Sequence, residues 1–453
     1  MKTQRTIVLG TAAILTASVI AAAQADTATN QLTLDQTLAL ARKNNPGLVV
    51  DRAKLAEAET TVEQAWSVLF PTVSAQVKYT HNNAKADSQT FASLLGGGSG
   101  AAGMTGAMAS AGPSFTLQPL DQWDYSVSAA QPILAPAAYP AVDAVKANYA
   151  AAKAGYDVSD ANTLVATARA FLACAAADEA RAARRSGVEV AQATLKNAET
   201  RQAAGTVTKV DVDRAQLALV RAEQAEREAA FGQEQTYRAL GTLIGVDGAF
   251  QIQPEIPTAP LPDASDAEMA LHLRPEFREL EESEKSYDAQ RKAQAWRWAP
   301  SISAFGNARY FPGYIAFTGQ HYAWAVGAEL DWAIYDGGGR DAQRHLASAQ
   351  LAEARAQTEL LRRTIRDDLA NGRSNLDTKR HGVESAQRSV DLANETLELV
   401  RVQYEAGTGT QLDLLQAQDA IVNAKVGLAQ AHFDVAAADL QFRYAAGTFP
   451  PKQ

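Results

Sequence analysis

The sequence predicts a mixed α and β protein in which short apolar-faced strands join very long coiled-coil helices, with one structural unit occurring twice. Three observations predict it. Four segments alternate apolar and polar residues over about ten positions, as strands with one greasy face do. Two stretches, from about 137 to 201 and from 340 to 404, lack any proline after Pro140 and hold few glycines. Finally, motifs recur in order. Asn45-Pro46-Gly47-Leu48 leads to Pro71, and Arg274-Pro275-Glu276-Phe277 leads to Pro300, each proline pair 25 positions apart. Ala204-Gly205-Thr206-Val207-Thr208-Lys209-Val210-Asp211 is echoed by Ala406-Gly407-Thr408-Gly409-Thr410-Gln411-Leu412-Asp413. Such self-similarity points to a pseudo-symmetric wall, not to a cleft around one catalytic centre.

The chain opens with Lys2 and Arg5, an uncharged run from Thr6 to Ala23, and the small residues Ala23-Gln24-Ala25. This predicts a secretory signal peptide over residues 1–25. No cysteine follows the cleavage site, so no N-terminal lipid anchor is expected. Removing Lys2 and Arg5 takes the formal net charge from −9 to −11. Nucleic-acid binding favours a basic face, so it is not expected. The single cysteine, Cys174, sits between alanines and reads as a small packing residue. Beyond the signal no run of 18 apolar residues occurs, so any membrane crossing falls to strands.

The first repeat is placed at 26–264 and the second at 265–453, divided by Pro254, Pro257, Pro260 and Pro262. In the first, strands are expected over about 71–80 and 122–132, and long helices over about 137–203 and 208–241. In the second, strands are expected over about 300–310 and 321–335, and helices over about 339–405 and 410–446. One face of the first strand carries Val73, Ala75, Val77 and Tyr79; the second carries Trp123, Tyr125, Val127 and Ala129. The third strand alternates less cleanly, with Phe305 out of phase between Ile302, Ala304, Ala308 and Tyr310. The fourth is clearest, with Tyr322, Trp324, Val326, Ala328, Leu330 and Trp332 on one face.

Aromatics at the ends of such stripes (Tyr79, Trp123, Tyr125, Tyr322, Trp324 and Trp332) match the interfacial girdle of a transmembrane β-barrel. A soluble sandwich with its apolar faces packed together is the alternative. The smallest membrane barrels have about eight strands. Open edges do not survive in lipid, so four strands crossing a bilayer require several copies in one barrel. The Gly-rich run at residues 96–100 reads as a surface loop: no Gly-Lys-Ser/Thr closes it, so it is no phosphate cradle.

A helix of 65 residues at 1.5 Å each makes a rod of roughly 100 Å, too long for one compact domain. Leu414, Ile421, Leu428, Val435 and Phe442 recur every seventh residue, interleaved with alanines. Leu369, Leu376, Val383, Val390, Leu397 and Tyr404 form a second series, and Val188, Ala191, Leu195 and Ala198 begin a third. A sustained repeat of 3.5 residues specifies left-handed coiled-coil packing. The alanines fit thin helices side by side in the wall of a tube, and a solid bundle remains open at this stage. Gly205 and Gly407 can end helices in the left-handed conformation. Thr208 with Asp211, and Thr410 with Asp413, resemble capping boxes for the returning helices.

These residues resemble the TolC-type outer-membrane efflux protein family. The marks are Leu32-Thr33-Leu34-Asp35 through Asn44-Asn45-Pro46, Pro71 and Pro300 opening strands, and Trp332-Ala333-Ile334-Tyr335-Asp336-Gly337-Gly338. To these add Tyr404-Glu405-Ala406-Gly407-Thr408, continuing through Leu412-Asp413-Leu414-Leu415 to Ala446-Gly447. The resemblance implies a homotrimer sharing one β-barrel in outer-membrane lipid, four strands per protomer, continuing into a long α-helical barrel in the periplasm. It implies docking to a periplasmic adaptor protein and an inner-membrane transporter, with export to the medium and no hydrolysis. It also implies a periplasmic gate at the tip, where Tyr404, Asp413 and Asp211 match family positions. Gly409 stands where an arginine can occur, which leaves packing of Tyr404 and rings of Asp413 or Asp211. Three Asp413 copies around one axis would repel one another and raise their pKa.

No catalytic constellation is visible. His81, His272, His321, His345, His381 and His432 stand alone, without metal-site spacing, and no nucleophile elbow or dinucleotide fingerprint occurs. Neither enzyme activity nor a cofactor is expected. The competing expectation is a periplasmic coiled-coil adaptor or scaffold without a membrane barrel. Such a protein has no use for aromatic-edged apolar stripes.

Overall fold

The computed structural model describes residues 31–87, 116–253, 267–312 and 320–449. The expected signal peptide, the Gly-rich run at 96–100 and the proline-rich division at 254–262 lie outside these residues. Elements run β1 (Gln31–Leu32), α1 (Leu34–Asn44), α2 (Pro46–Ser67), β2 (Thr72–His81), β3 (Ala86–Asp87), β4 (Thr116–Gln118) and β5 (Asp121–Leu134). Then follow α3 (Ala138–Ala203), α4 (Lys209–Ile244), β6 (Gln251–Ile252), α5 (Ala267–Leu273) and α6 (Pro275–Trp296). The chain closes with β7 (Ser301–Tyr310), β8 (Tyr322–Asp331), α7 (Gly339–Glu405) and α8 (Gln411–Ala445).

Pairing of β2, β5, β7 and β8, in that order, makes one antiparallel sheet. Each hairpin pairs its own strands, and β5 joins the hairpins by pairing with β7. Two details depart from expectation. The fourth strand stops at Asp331, so Trp332 lies just past it, where the chain turns towards Gly337 and Gly338 at φ of 72° and 86°. A short β3–β4 ladder extends the first hairpin beyond His81. Phe305 also has a physical explanation. It lies opposite Gly327, where an added Cβ would come within 2.9 Å of the Phe305 Cζ, so the ring covers the glycine on the polar face.

The long helices form a layer. Helices α3 and α7, of 66 and 67 residues, run its full length. Near the sheet α2 packs on α3, α3 on α6, and α6 on α7. Further away the order is α4, α3, α8, α7. Two clusters hold the middle. Phe171, Leu164, Leu240, Ile244 and Cys174 are buried where α1, α3 and α4 meet. Leu271, Phe277, Ile365, Leu369 and Phe442 are buried where α5, α6, α7 and α8 meet. Beside the second cluster lies a charged network. Arg274, 7% exposed, meets Glu276 at 3.1 and 3.3 Å and Asp368 at 3.1 Å, and its guanidinium sits 5.3 Å from the Tyr444 ring centroid. The Tyr444 hydroxyl donates to Glu276 and, at 2.9 Å, to Asn162. Residues from α3, α6, α7 and α8 thereby share one polar node.

Candidate functional site

Two surfaces carry the functional expectations: the apolar face of the sheet and the hairpin tip far from it. On the sheet, register decides which side chains share a face, because directly opposed residues point the same way. Val77 opposes Tyr125, Tyr125 opposes Tyr310, and Tyr310 opposes Tyr322, giving one row across four strands. The next rows are Ala75, Val127, Ala308, Trp324 and then Val73, Ala129, Gly306, Val326. Among the described residues no layer covers them: Trp324 is 72% exposed and Val326 77%. The opposite face is polar. Ser74 and Ser128 hydroxyls meet at 2.8 Å, and Gln76, Ser126 and Arg309 line up beside them.

Aromatics band this stripe at one end. Tyr79 opposes Trp123 with ring centroids 5.0 Å apart, Trp123 stacks on Tyr125 at 6.4 Å, and Tyr125 meets Tyr310 at 6.2 Å. Tyr322 and Trp324 continue the band on β8. At the strand–helix junction Trp332 donates Nε1–H to the Trp298 carbonyl at 3.2 Å, and the Arg340 guanidinium lies 4.0 Å from the Trp298 ring centroid. The Asp336 carboxylate accepts from the Arg340 backbone N–H at 2.9 Å and from its Nε at 3.1 Å, fixing that corner. Phe70, Trp296, Trp298 and Tyr335 are exposed there too. Of this second group sequence reasoning named Trp332 and missed the rest, because turns carry no periodicity; the cluster of aromatics flanking Pro71 and Pro300 was the available signal. From Tyr322 to Trp332 is about 33 Å at ~3.3 Å per residue, or about 25 Å high at a tilt of roughly 40°. That is the height of the apolar band of an outer-membrane barrel.

At the tip both capping boxes form. Thr208 N–H reaches Asp211 Oδ2 at 3.1 Å, and Thr410 N–H reaches Asp413 Oδ2 at 3.2 Å, with the reciprocal bonds present. The Thr410 hydroxyl and backbone hydrogen bonds hold the exposed Asp413 carboxyl below its ordinary value. Within one protomer this runs opposite to the rise expected from repulsion between copies. Arg214 stands 3.7 Å from Asp211. Tyr404 is buried, with the Arg201 guanidinium 4.7 Å from its ring centroid. Tyr404 therefore meets α3, and no hydrogen bond joins it to Asp211 or Asp413 among the described residues. An added Cβ at Gly409 would lie 3.0 Å from the Tyr404 backbone nitrogen, so the turn closes tightly over a bare backbone.

An uncovered apolar sheet banded by aromatics, carried on helices of roughly 100 Å, defines a membrane-seated protein with a long extramembrane body. The chain belongs to the outer membrane efflux protein family, whose sequence pattern matches residues 37–246 and 267–448. It is an outer-membrane protein with a helical periplasmic extension. It is 28% identical over 229 residues to outer membrane protein OprJ of Pseudomonas aeruginosa, covering 49% of this chain and 47% of that one. Over 123 residues it is 27% identical to outer membrane protein TolC of Escherichia coli, covering 27% of this chain and 25% of that one. The chain thus spans about half or less of the length of these curated relatives. The same fold occurs in the CmeC outer membrane channel of Campylobacter jejuni, with a TM-score of 0.74 at 17% identity over 91% of this chain and 85% of that one.

Proposed function

We propose that this chain is the exit duct of a tripartite efflux pump or a type I secretion system. As a homotrimer it passively conducts substrates, handed over by an inner-membrane transporter and a periplasmic adaptor, to the medium. The observation that carries this reading is a sheet with one bare apolar face and two free edges, β2 and β8, among the described residues. In lipid those edges have no water to satisfy them, so neighbouring copies must pair with them. The helices support the tube over the solid bundle. Their layer ends laterally in α4 and α7, and these expose Leu217, Val220 and Phe231 on one side and Leu392, Leu399 and Val402 on the other. Rows of this kind suit contact between copies.

The spans 26–264 and 265–453 are read as two copies of one unit. At the tip, rings of Asp413 and Asp211 give the passage a negative mouth, and Tyr404, buried against Arg201 of α3, contributes by packing the hairpins together.

The test is direct. Membrane fractionation should place the protein with the outer membrane, extraction should require detergent, and cross-linking should give a trimer. The purified trimer should conduct in planar bilayers. Release by osmotic shock as a monomer, with no conductance, would refute the proposal.

A further inference from the structure

The polar face of the sheet is built of small, hydroxyl, amide and charged side chains, with one exception. Phe305 is the only aromatic side chain on that face among the described residues of β2, β5, β7 and β8. Its row across the strands is Thr72, Ala130, Phe305 and Gly327. The ring leans across the ladder until its Cζ stands over Gly327, where an added Cβ would be only 2.9 Å away. One ring face thereby rests on bare backbone and the other is left clear. Phe305 is 36% exposed, and Ala130, Asn307 and Ala325 around it are exposed too.

Glu329 lies beside the ring. It follows Gly327 by two residues on the same face of β8, about 7 Å along the strand, and opposes Ser303, two residues before Phe305. It is exposed and has no ion pair or hydrogen bond among the described residues. Asp331, two residues further on, adds a second negative charge on that side. The cation on this face of β7, Arg309, stands four residues from Phe305 in the other direction, about 13 Å away, with its guanidinium over the Phe311 ring. An open aromatic face attracts a cation through the ring quadrupole, and an adjacent unpaired carboxylate draws the same charge. The ring alone would hold any apolar body, and the carboxylate alone any cation. Together they favour a ligand that has both properties.

We propose that Phe305 and Glu329 form, in each chain, a shallow subsite for organic cations that carry an aromatic or apolar body. The proposal rests on the duct reading, in which the polar face lines the passage, and it names a class of cargo that the wall itself touches. Exposure keeps the subsite weak, which suits transit: a conduit must hold what it carries loosely enough to release it.

Benzyltrimethylammonium, which joins a ring to a fixed positive charge and stays in water, is the probe. Tetramethylammonium lacks the ring, and benzenesulfonate reverses the charge. With the full-length protein in planar bilayers at low salt, benzyltrimethylammonium should block current at concentrations about three- to tenfold lower than tetramethylammonium, and benzenesulfonate should not block. F305L keeps apolar volume over Gly327 but removes the aromatic face, and it should weaken the block about three- to tenfold; E329Q should weaken it by a similar factor. Asn307→Ala, on the same face but on the side of the ring away from Glu329, should leave the block unchanged. Saturation-transfer NMR on the solubilised protein reads binding of the same probe without conduction and should rank the variants alike. If wild type carries no current, the duct reading fails and the NMR ranking alone decides the subsite. If wild type conducts while F305L and E329Q block and bind as wild type does, the subsite is overturned and the duct stands. Binding of benzenesulfonate as tight as that of benzyltrimethylammonium overturns it as well.

Discussion

Replacing Arg274 by methionine removes the centre of the node that ties α3, α6, α7 and α8. The Glu276 side chain is 19% exposed, and burial alone would raise its pKa. Hydrogen bonds from Arg274 and Tyr444 overcome that and hold the carboxyl below its ordinary 4.5. R274M leaves Glu276 charged, mostly buried and short of its main partner, a change that costs about 3–5 kcal/mol. Asp368 is 44% exposed and can turn to water, so its loss adds only ~0–1 kcal/mol. The double variant R274M/E276L replaces the pair by apolar volume and should recover most of the loss. The pH dependence has a fixed sign. A depressed carboxyl contributes in full above its unfolded value, near 4.5, and that contribution disappears as pH falls through the lower folded value. Urea unfolding of the detergent-solubilised protein, followed by tryptophan fluorescence from pH 7 to pH 3, measures all three. An R274M loss below ~1 kcal/mol, or a double variant no more stable than the single, would refute this account.

Three further outcomes are expected. Val326→Arg puts a charge on the bare face and should cost ~2–4 kcal/mol and block outer-membrane assembly, whereas Ala325→Arg, one residue away on the polar face, should assemble; heat-modifiable migration on gels distinguishes them. Cys174 is fully buried and its thiol is pushed up to about 11, first by desolvation and then by the nearby Asp178 charge, so it should resist iodoacetamide at pH 8 until the protein is denatured. Thr410→Ala should speed amide exchange at residues 410–413 by about three- to tenfold through loss of the cap. Since Asp413 is held below its ordinary 3.8, the wild-type cap should persist down to that pH and fade only below it.

Much of this structure was legible because two periodicities are written plainly. Alternation on β8, from Tyr322 to Leu330, reports a sheet face directly, and the seven-residue series ending at Tyr404 tracks side chains that are buried or half-buried in the structure. The Thr-x-x-Asp spacings marked both caps, since capping is a local interaction. Phe305 was opaque because its role depends on Gly327 across the hairpin, a contact between strands that no local pattern encodes. Trp298 and Arg340 were missed for the same reason: the cation lies over a ring 42 positions earlier in the chain. Arg201 carries no pattern that would single it out in the sequence. Only the packing of one hairpin on the other brings Tyr404 beneath it.

The sheet contains whole hairpins, and this has a geometric consequence. Alternating directions along β2, β5, β7 and β8 leave the first and last strands running oppositely. One molecule's β8 can therefore lie against the next molecule's β2 with the same antiparallel hydrogen bonding used inside each molecule. A protomer with one strand more or fewer would face its neighbour in parallel. Evolution of a wider or narrower ring of this type should then proceed by adding or deleting hairpins, never single strands.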